Sequence, residues 1–491
     1  MKSLRRNAIF NTIRSLLSFL FPLISYGYAS RTVGVEYIGR VQYTLAIISY
    51  FSLLAVFGMN SYAVRECAGI RDDRDRISSV ASRYLAFNIL TLVMSLAALS
   101  LCVFIFIPWH AYLSLFLIQS LSIMFTVMSM EWINVIYEDY GYITLRGLFI
   151  NILNLILLFL LVKSPEDYLF YAFLSVLTPV VTGIINFCYI RRYVTVRMPG
   201  LPDMFRDFRH MLHDLWPFFI NDLSVAVYVG ADMIILGAMK GDYHVGIYSA
   251  AVKIYTIVKS VFIAVFSVMV PRLSYHYGRG ESEEFEKILS RTVSVFIILG
   301  FPAMTGLIMY APDIISIVSG PDYIDAATPL RLLAMALIFA IFGGIATGCV
   351  NVPCGYERVN SRATIIAALE NTVLNIPAIY LWNETGAAAT TVLAEATVLT
   401  ICLIHYRKTG CPYRSADRNE SGPALISRKD LRDTLIGVAM LVVIRMICEW
   451  GIADHMIRAI IGIGVSVILY PLVFIILGNA VVKGIIRDRS L

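Results

Sequence analysis

The chain has 491 residues, of which 58% are hydrophobic and 15% charged, well under the quarter or so of charged residues that a water-soluble protein carries. Its formal net charge of +6 invites a nucleic-acid partner, but the placement of the cations, set out below, excludes one. Eight cysteines are scattered without CxxC spacing, which argues against both a metal site and a disulfide framework.

Apolar runs of about twenty residues recur along the whole length, each long enough as a helix to cross roughly 30 Å of hydrocarbon. A helix is also the form that satisfies its own backbone in lipid. The runs predict transmembrane helices at 9–29, 41–62, 84–107, 111–130, 143–162, 168–190, 215–238, 246–270, 291–310, 328–352, 363–382, 386–406, 433–450 and 459–482. The expected fold class is therefore all-α, a polytopic membrane protein of about 14 transmembrane helices. Lys2, Arg5 and Arg6 ahead of the first run imitate a signal peptide, but no small-x-small cleavage site follows and the run is long enough to span. It is read as the first helix, with both termini cytoplasmic.

In the first span Asn7, Asn11, Arg14, Ser15, Ser18, Pro22 and Ser25 follow the spacing of one helical face, a polar stripe through an apolar helix. Arg31 and Arg40 flank the first outer loop, placed either to guard a cavity mouth or to bind outer-leaflet headgroups. The seventh span carries a second stripe, Asn221, Ser224, Tyr228 and Asp232, with Asp222 beside it. On the eighth, Lys253, Thr256 and Ser260 share a face, while Lys259 is turned away by roughly 120° and is expected to pair with an acid such as Asp222 or Glu370. Arg331 and Arg445 lie near outer ends of spans, where they are able to snorkel, and Glu370 and Glu395 complete the charges inside spans. A charge at mid-bilayer costs about 3 kcal/mol on the most lenient scale, so each is expected to face protein or water. Each also has a plainer role open to it, as a helix-packing polar group or an intramembrane ion pair.

With the N-terminus inside, thirty Lys and Arg fall in cytoplasmic segments and five, Arg31, Arg40, Lys163, Lys240 and Arg458, in outer loops. That asymmetry sets an orientation and accounts for the basic balance without a nucleic acid. Trp109, Trp382 and Trp450 fall at outer ends of spans, as interface anchors do. The longest outer loop, 311–327, has no His, Lys or Arg, and the chain holds no HExxH, GxSxG or P-loop. Neither an enzyme active site nor a cofactor is expected.

At an offset of 207 residues, Gly34 to Gly39 lies over Gly241 to Gly246, Arg65 over Arg272 and Arg14 over Asn221; at 214, Gly141-Tyr142 lies over Gly355-Tyr356. The chain then divides into an N-terminal six-helix lobe (1–210), a C-terminal six-helix lobe (211–408), a cytoplasmic linker (409–432) and two extra C-terminal transmembrane helices (433–491). Lobes of six helices share one orientation, which implies an axis along the membrane normal and a cavity between them.

Several runs together resemble the Wzx-type polysaccharide flippases of the multidrug/oligosaccharidyl-lipid/polysaccharide exporter superfamily. They are Lys2 to Asn7, Val33 to Val41, Tyr62 to Glu66, Ala231-Asp232-Met233-Ile234-Ile235-Leu236-Gly237, Val245 to Ile254, Val270 to Ser274, Ala311 to Ile315 and Gly386 to Thr390. Where that family usually has a basic residue after the Ala-Asp, this chain has Met233. The resemblance implies a flippase that passes an undecaprenyl-pyrophosphate-linked oligosaccharide repeat unit across the bacterial inner membrane for O-antigen, capsule or exopolysaccharide synthesis. A polysaccharide polymerase and a chain-length regulator are candidate partners beside the lipid bilayer. A peptidoglycan-precursor flippase and a multidrug or organic-cation antiporter of the same superfamily are the alternatives; Arg14 in a first helix without Asp or Glu favours an anionic cargo.

On this reading Arg14, Lys253, Asn11, Asn221, Arg31 and Arg40 are the candidate substrate contacts, replacing the headgroup's water and counterions during alternating access. Asp232, Glu395, Glu370 and Asp222 are the candidate groups for coupling to H⁺ or Na⁺, because a carboxylate in a low-dielectric cavity titrates in a usable range.

Overall fold

The structure is a computed structural model that describes residues 21–197, 200–409, 427–451 and 455–479. Arg14, Asn11 and the rest of the polar stripe through Ser18 lie outside the described residues. All regular structure among the described residues is helical, and eleven helical stretches are long and apolar enough to cross a membrane. The chain is a multi-pass membrane protein that folds as two compact units, 1–246 and 247–491.

The first unit contains α1 (21–33), α2 (Val35–Val56), α3 (Met59–Cys67), α4 (Arg74–Ile105), α5 (Leu113–Ser129), α6 (Trp132–Ile136), α7 (Tyr140–Leu161), α8 (Tyr168–Tyr189) and α9 (Leu201–Lys240). The start of α10 (Asp242–Gly278) also belongs to it. The outer loop expected between the first two spans shrinks to Gly34, so Arg31 and Arg40 stand on helices α1 and α2. Gly34 (φ 87°, ψ 166°) and its repeat partner Gly241 (φ 90°, ψ −176°) break the helices in the same conformation, one that is essentially glycine's alone. Five residues on, Gly39 and Gly246 let α2 and α10 touch backbone to backbone: a Cβ on Gly39 would meet the Asp242 carbonyl oxygen at 1.8 Å, and one on Gly246 the Val35 carbonyl oxygen at 2.1 Å.

The second unit holds the rest of α10 with α11 (Ser282–Met309), α12 (Ala311–Val318), α13 (Ala327–Gly344), α14 (Glu357–Thr409), α15 (Arg428–Gly451) and α16 (His455–Ile476). Non-helical φ/ψ at Asn383 divide α14 into two limbs, matching two of the predicted spans. The limbs fold back on each other, since Thr390 Oγ1 donates to Asn375 Oδ1 at 2.6 Å. The expected outer loop 311–327 is largely helical instead: Pro312 is the second residue of α12, Asp313 sits in the same first turn, and a 3₁₀ turn covers Pro321–Ala326. Proline's fixed φ and missing N–H suit the first turn of a helix, and an acid there faces the positive end of the helix. The two C-terminal helices lean on α11 through Ile298, Leu441, Tyr470 and Phe474, and Tyr470 Oη donates to the Ile298 carbonyl at 2.8 Å.

Candidate functional site

Within the first unit the charged and polar side chains gather at two levels. At the glycine crossing, Arg40 Nε donates to Asp242 Oδ2 at 3.0 Å, and Tyr112 Oη donates to the other carboxylate oxygen at 2.8 Å. Tyr43 lies edge-on to Tyr112 and accepts from Trp109 Nε1 at 3.2 Å. Trp109 is thus half-buried in an aromatic cluster, whereas Trp382 and Trp450 are exposed, the latter at 93%. Arg40, read from sequence as a loop cation, is engaged by a carboxylate that is almost fully covered.

At the second level Arg146, buried on α7, donates to Asn186 Oδ1 at 2.9 Å and pairs with Glu131. Asn134 donates to the same Asn186 oxygen, and Asn186 donates to the Ser129 carbonyl. Arg146 is one of the thirty cations that the charge distribution assigns to cytoplasmic segments, and the uncharged Asn134 and Asn186 leave this cluster without a mark in that distribution. The available signal was Glu131 directly after one span and Arg146 at the opening of the next. Just outside, Asp139 accepts from Tyr189 at 2.6 Å and from Tyr193 at 2.9 Å.

The remaining described candidates of this unit stand on α1 and α9. Asp232 is buried on α9, with its Oδ1 accepting from the Met233 amide at 2.9 Å. Asn221 is exposed and Asp222 half-buried further back on the same helix, and Arg31 is exposed on α1.

In the second unit Lys253 is half-buried on α10. The expectation that Lys259 pairs with Asp222 or Glu370 is corrected: its Nζ lies 2.5 Å from Glu395 Oε1, and Tyr255 Oη donates to the same oxygen at 3.2 Å. Helical rotation tells which way a side chain turns but not which distant helix meets it, and Glu395 is 136 residues away. Glu370 is half-buried on the first limb of α14. Buried Asn371 and Asn375 form a polar rail with Thr390 between the two limbs, uncharged and so passed over in the sequence. Arg445 pairs with buried Asp313 at 2.8 Å and with Glu449 at 3.0 Å, and lies over the Tyr310 ring, so it is fixed in the protein rather than snorkelling. Arg331 is exposed and donates to the Ile308 carbonyl at 3.3 Å.

Beside the Arg445 cluster, α11, α15 and α16 line a half-open cavity of about 350 Å³, bordered by Pro302, Leu307, Leu441, Val467, Tyr470 and Pro471 among others. Its character is almost wholly apolar, suited to hydrocarbon. Among the described residues, no group of three or more His, Cys, Asp or Glu is placed to hold a metal ion.

Residues 4–276 match the family profile described as polysaccharide biosynthesis protein, and residues 217–381 match the one described as MatE. A Shigella dysenteriae protein assigned as an O-antigen transporter is 24% identical over 388 residues, covering 79% of this chain and 96% of its own. An Escherichia coli K12 protein with the same assignment is 22% identical, covering 82% of this chain and 97% of its own. Among solved structures, a lipid II flippase, MurJ, in an inward closed conformation superposes with a TM-score of 0.75 at 18% identity, covering 98% of this chain and all of the other.

Proposed function

The chain belongs to the polysaccharide biosynthesis protein family, and from that premise we propose that it is a flippase for a lipid-linked oligosaccharide, a transporter and not an enzyme. The observation that carries this reading is the likeness, along about four-fifths of the chain, to proteins assigned as O-antigen transporters. The cargo is an undecaprenyl-pyrophosphate-linked repeat unit moving from the inner to the outer leaflet of a bacterial cytoplasmic membrane. Such a cargo has an anionic headgroup that must leave water and a prenyl tail that must not.

Cations inside the membrane serve the headgroup by replacing its hydration and counterions. Arg14 and Lys253 remain the proposed contacts, with Asn11, Asn221, Arg31 and Arg40 along the path, and motion follows alternating access. The apolar cavity against α15 and α16 suits a stretch of the prenyl chain, because apolar surface there gains by being covered. Asp232, Glu395, Glu370 and Asp222 are the proposed coupling acids for H⁺ or Na⁺.

The test is deletion of the gene, complementation with wild type and with Arg14→Ala, and leaflet-resolved measurement of the lipid-linked glycan. The reading expects the glycan to accumulate in the inner leaflet on deletion, wild type to restore delivery and Arg14→Ala to fail. Unchanged outer-leaflet delivery after deletion would end it. If peptidoglycan precursor accumulates instead, the cargo assignment is replaced by that precursor.

A further inference from the structure

We infer that Lys259 is an anion-binding site for the phosphoryl headgroup of the cargo, and that Glu395 occupies it in the present structure as an internal counter-ion which the headgroup displaces. The inference rests on the flippase reading and adds Lys259 to the headgroup contacts, Arg14 and Lys253, that the reading already names. Lys259 on α10 and Glu395 on the second limb of α14 fall at the middle of the predicted spans 246–270 and 386–406, where an unpaired charge is least tolerable. The carboxylate oxygen takes one ammonium donor at 2.5 Å and one phenol donor, from Tyr255, at 3.2 Å. That donor set serves a phosphoryl oxygen equally, since both are anionic oxygens accepting charge-assisted hydrogen bonds.

Exposure separates this pair from a purely structural one. The Arg445 and Asp313 side chains are 11% and 1% exposed, closed on both sides. The Lys259 side chain is 28% exposed while that of Glu395 is 8% exposed, so of the two it is the lysine side chain that a second anion can reach. Among the described residues Glu395 is the one hydrogen-bond acceptor at Lys259 Nζ, and an ammonium has three donors. Lysine also suits an exchange of partners: it is a flexible point charge, without the planar fork that ties arginine to one geometry.

The arrangement meets both demands of transport. A pyrophosphate carries more negative charge than one carboxylate and so competes successfully for the cation. When it departs, Glu395 returns, which keeps the cation from trapping its cargo; a conducting site must bind firmly enough to admit and weakly enough to release.

The experiment titrates the purified full-length protein in lipid nanodiscs with farnesyl pyrophosphate, with farnesol and inorganic pyrophosphate as separate arms. Glu395→Gln is expected to bind farnesyl pyrophosphate about tenfold more tightly than wild type, and Lys259→Gln about tenfold more weakly. The double variant Lys259→Gln/Glu395→Gln keeps the shape of the pair without its charges, and is expected to stay as weak as Lys259→Gln. Lys259→Arg, retaining the charge, is expected to bind within a few-fold of wild type. The inference is overturned if the double variant recovers wild-type affinity or if Glu395→Gln binds no more tightly, because the pair is then only helix-packing glue. Equal binding of inorganic pyrophosphate overturns the headgroup assignment in favour of a free anion, and equal binding of farnesol overturns the anion site itself. The expected binding pattern together with unimpaired glycan delivery on gene deletion would remove the flippase reading and leave the anion site; impaired delivery with Lys259-independent binding would do the reverse.

Discussion

Replacing Gly39 by alanine tests the crossing on which the first unit closes. The added Cβ would lie 1.8 Å from the Asp242 carbonyl oxygen, 2.7 Å from its carbon and 2.8 Å from the Gly246 nitrogen. All three are backbone atoms, so no rotamer change relieves the clash. A carbon and a carbonyl oxygen approach to about 3.3 Å, which obliges α2 and α10 to part by about 1.5 Å. Overpacking of that size costs about 1–3 kcal/mol. Parting also stretches the Arg40 and Tyr112 bonds to Asp242, now 3.0 and 2.8 Å, and a hydrogen bond to a charged group is worth about 1.5–3 kcal/mol. The expected loss is therefore about 3 kcal/mol, read as a lowered unfolding midpoint of the purified protein in detergent. Gly147→Ala is the control, because a Cβ there meets nothing within 4 Å and alanine favours a helix by about 0.5–1 kcal/mol. Equal midpoints for the two variants would refute the reasoning.

Arg146→Met should lower stability by about 2 kcal/mol, short of the 3–5 typical of a broken buried pair, because Glu131 is 41% exposed and rehydrates while Asn134 still serves Asn186; chemical unfolding in detergent measures it, and no loss would show the cluster to be idle. Arg445→Ala should cost about 3 kcal/mol, since Asp313 is 1% exposed, with part of the loss recovered in Arg445→Ala/Asp313→Ala; a double variant as unstable as the two singles summed would contradict the pairing. Burial pushes the Asp139 carboxyl up, but hydrogen bonds from Tyr189 and Tyr193 and the charge of Arg192 outweigh it, leaving Asp139 below the usual carboxylate range. Its stabilising contribution is then full above about pH 4 and is lost as pH falls through the depressed folded value. Asp139→Asn should remove that part of the acid dependence of the unfolding midpoint, and an unchanged profile would rule the contribution out.

The membrane fold was legible because hydrocarbon leaves the chain few options: apolar runs of about twenty residues and self-satisfied helices. The Gly34 and Gly241 correspondence was legible too, since both positions demand a conformation that other residues resist. What sequence periodicity left out is contact between helices far apart in the chain. It turned Lys259 away from Lys253 but named the wrong acids for it, since nothing in a single helix identifies Glu395. Arg146 counts as a cytoplasmic cation in the sequence although it falls inside the predicted span 143–162, because charge counting near a span boundary cannot distinguish a residue in water from one folded under a neighbouring helix. Arg31 and Arg40 were given a loop that one glycine suffices to replace. The segment 311–327 reads as loop because it falls between the predicted spans 291–310 and 328–352, although Pro312 followed by Asp313 carries the start signal of a helix.

Transport itself is tested most directly by reconstituting the purified chain into sealed liposomes with a fluorescent undecaprenyl-pyrophosphate-linked oligosaccharide placed in one leaflet, and following its arrival in the other by a membrane-impermeant quencher. The account predicts transfer at least about tenfold faster than in protein-free liposomes, a barrier lowered by some 1.4 kcal/mol or more, and slowed again in Lys259→Gln. Transfer no faster with the protein than without it would contradict the claim that this chain carries an anionic headgroup across the membrane.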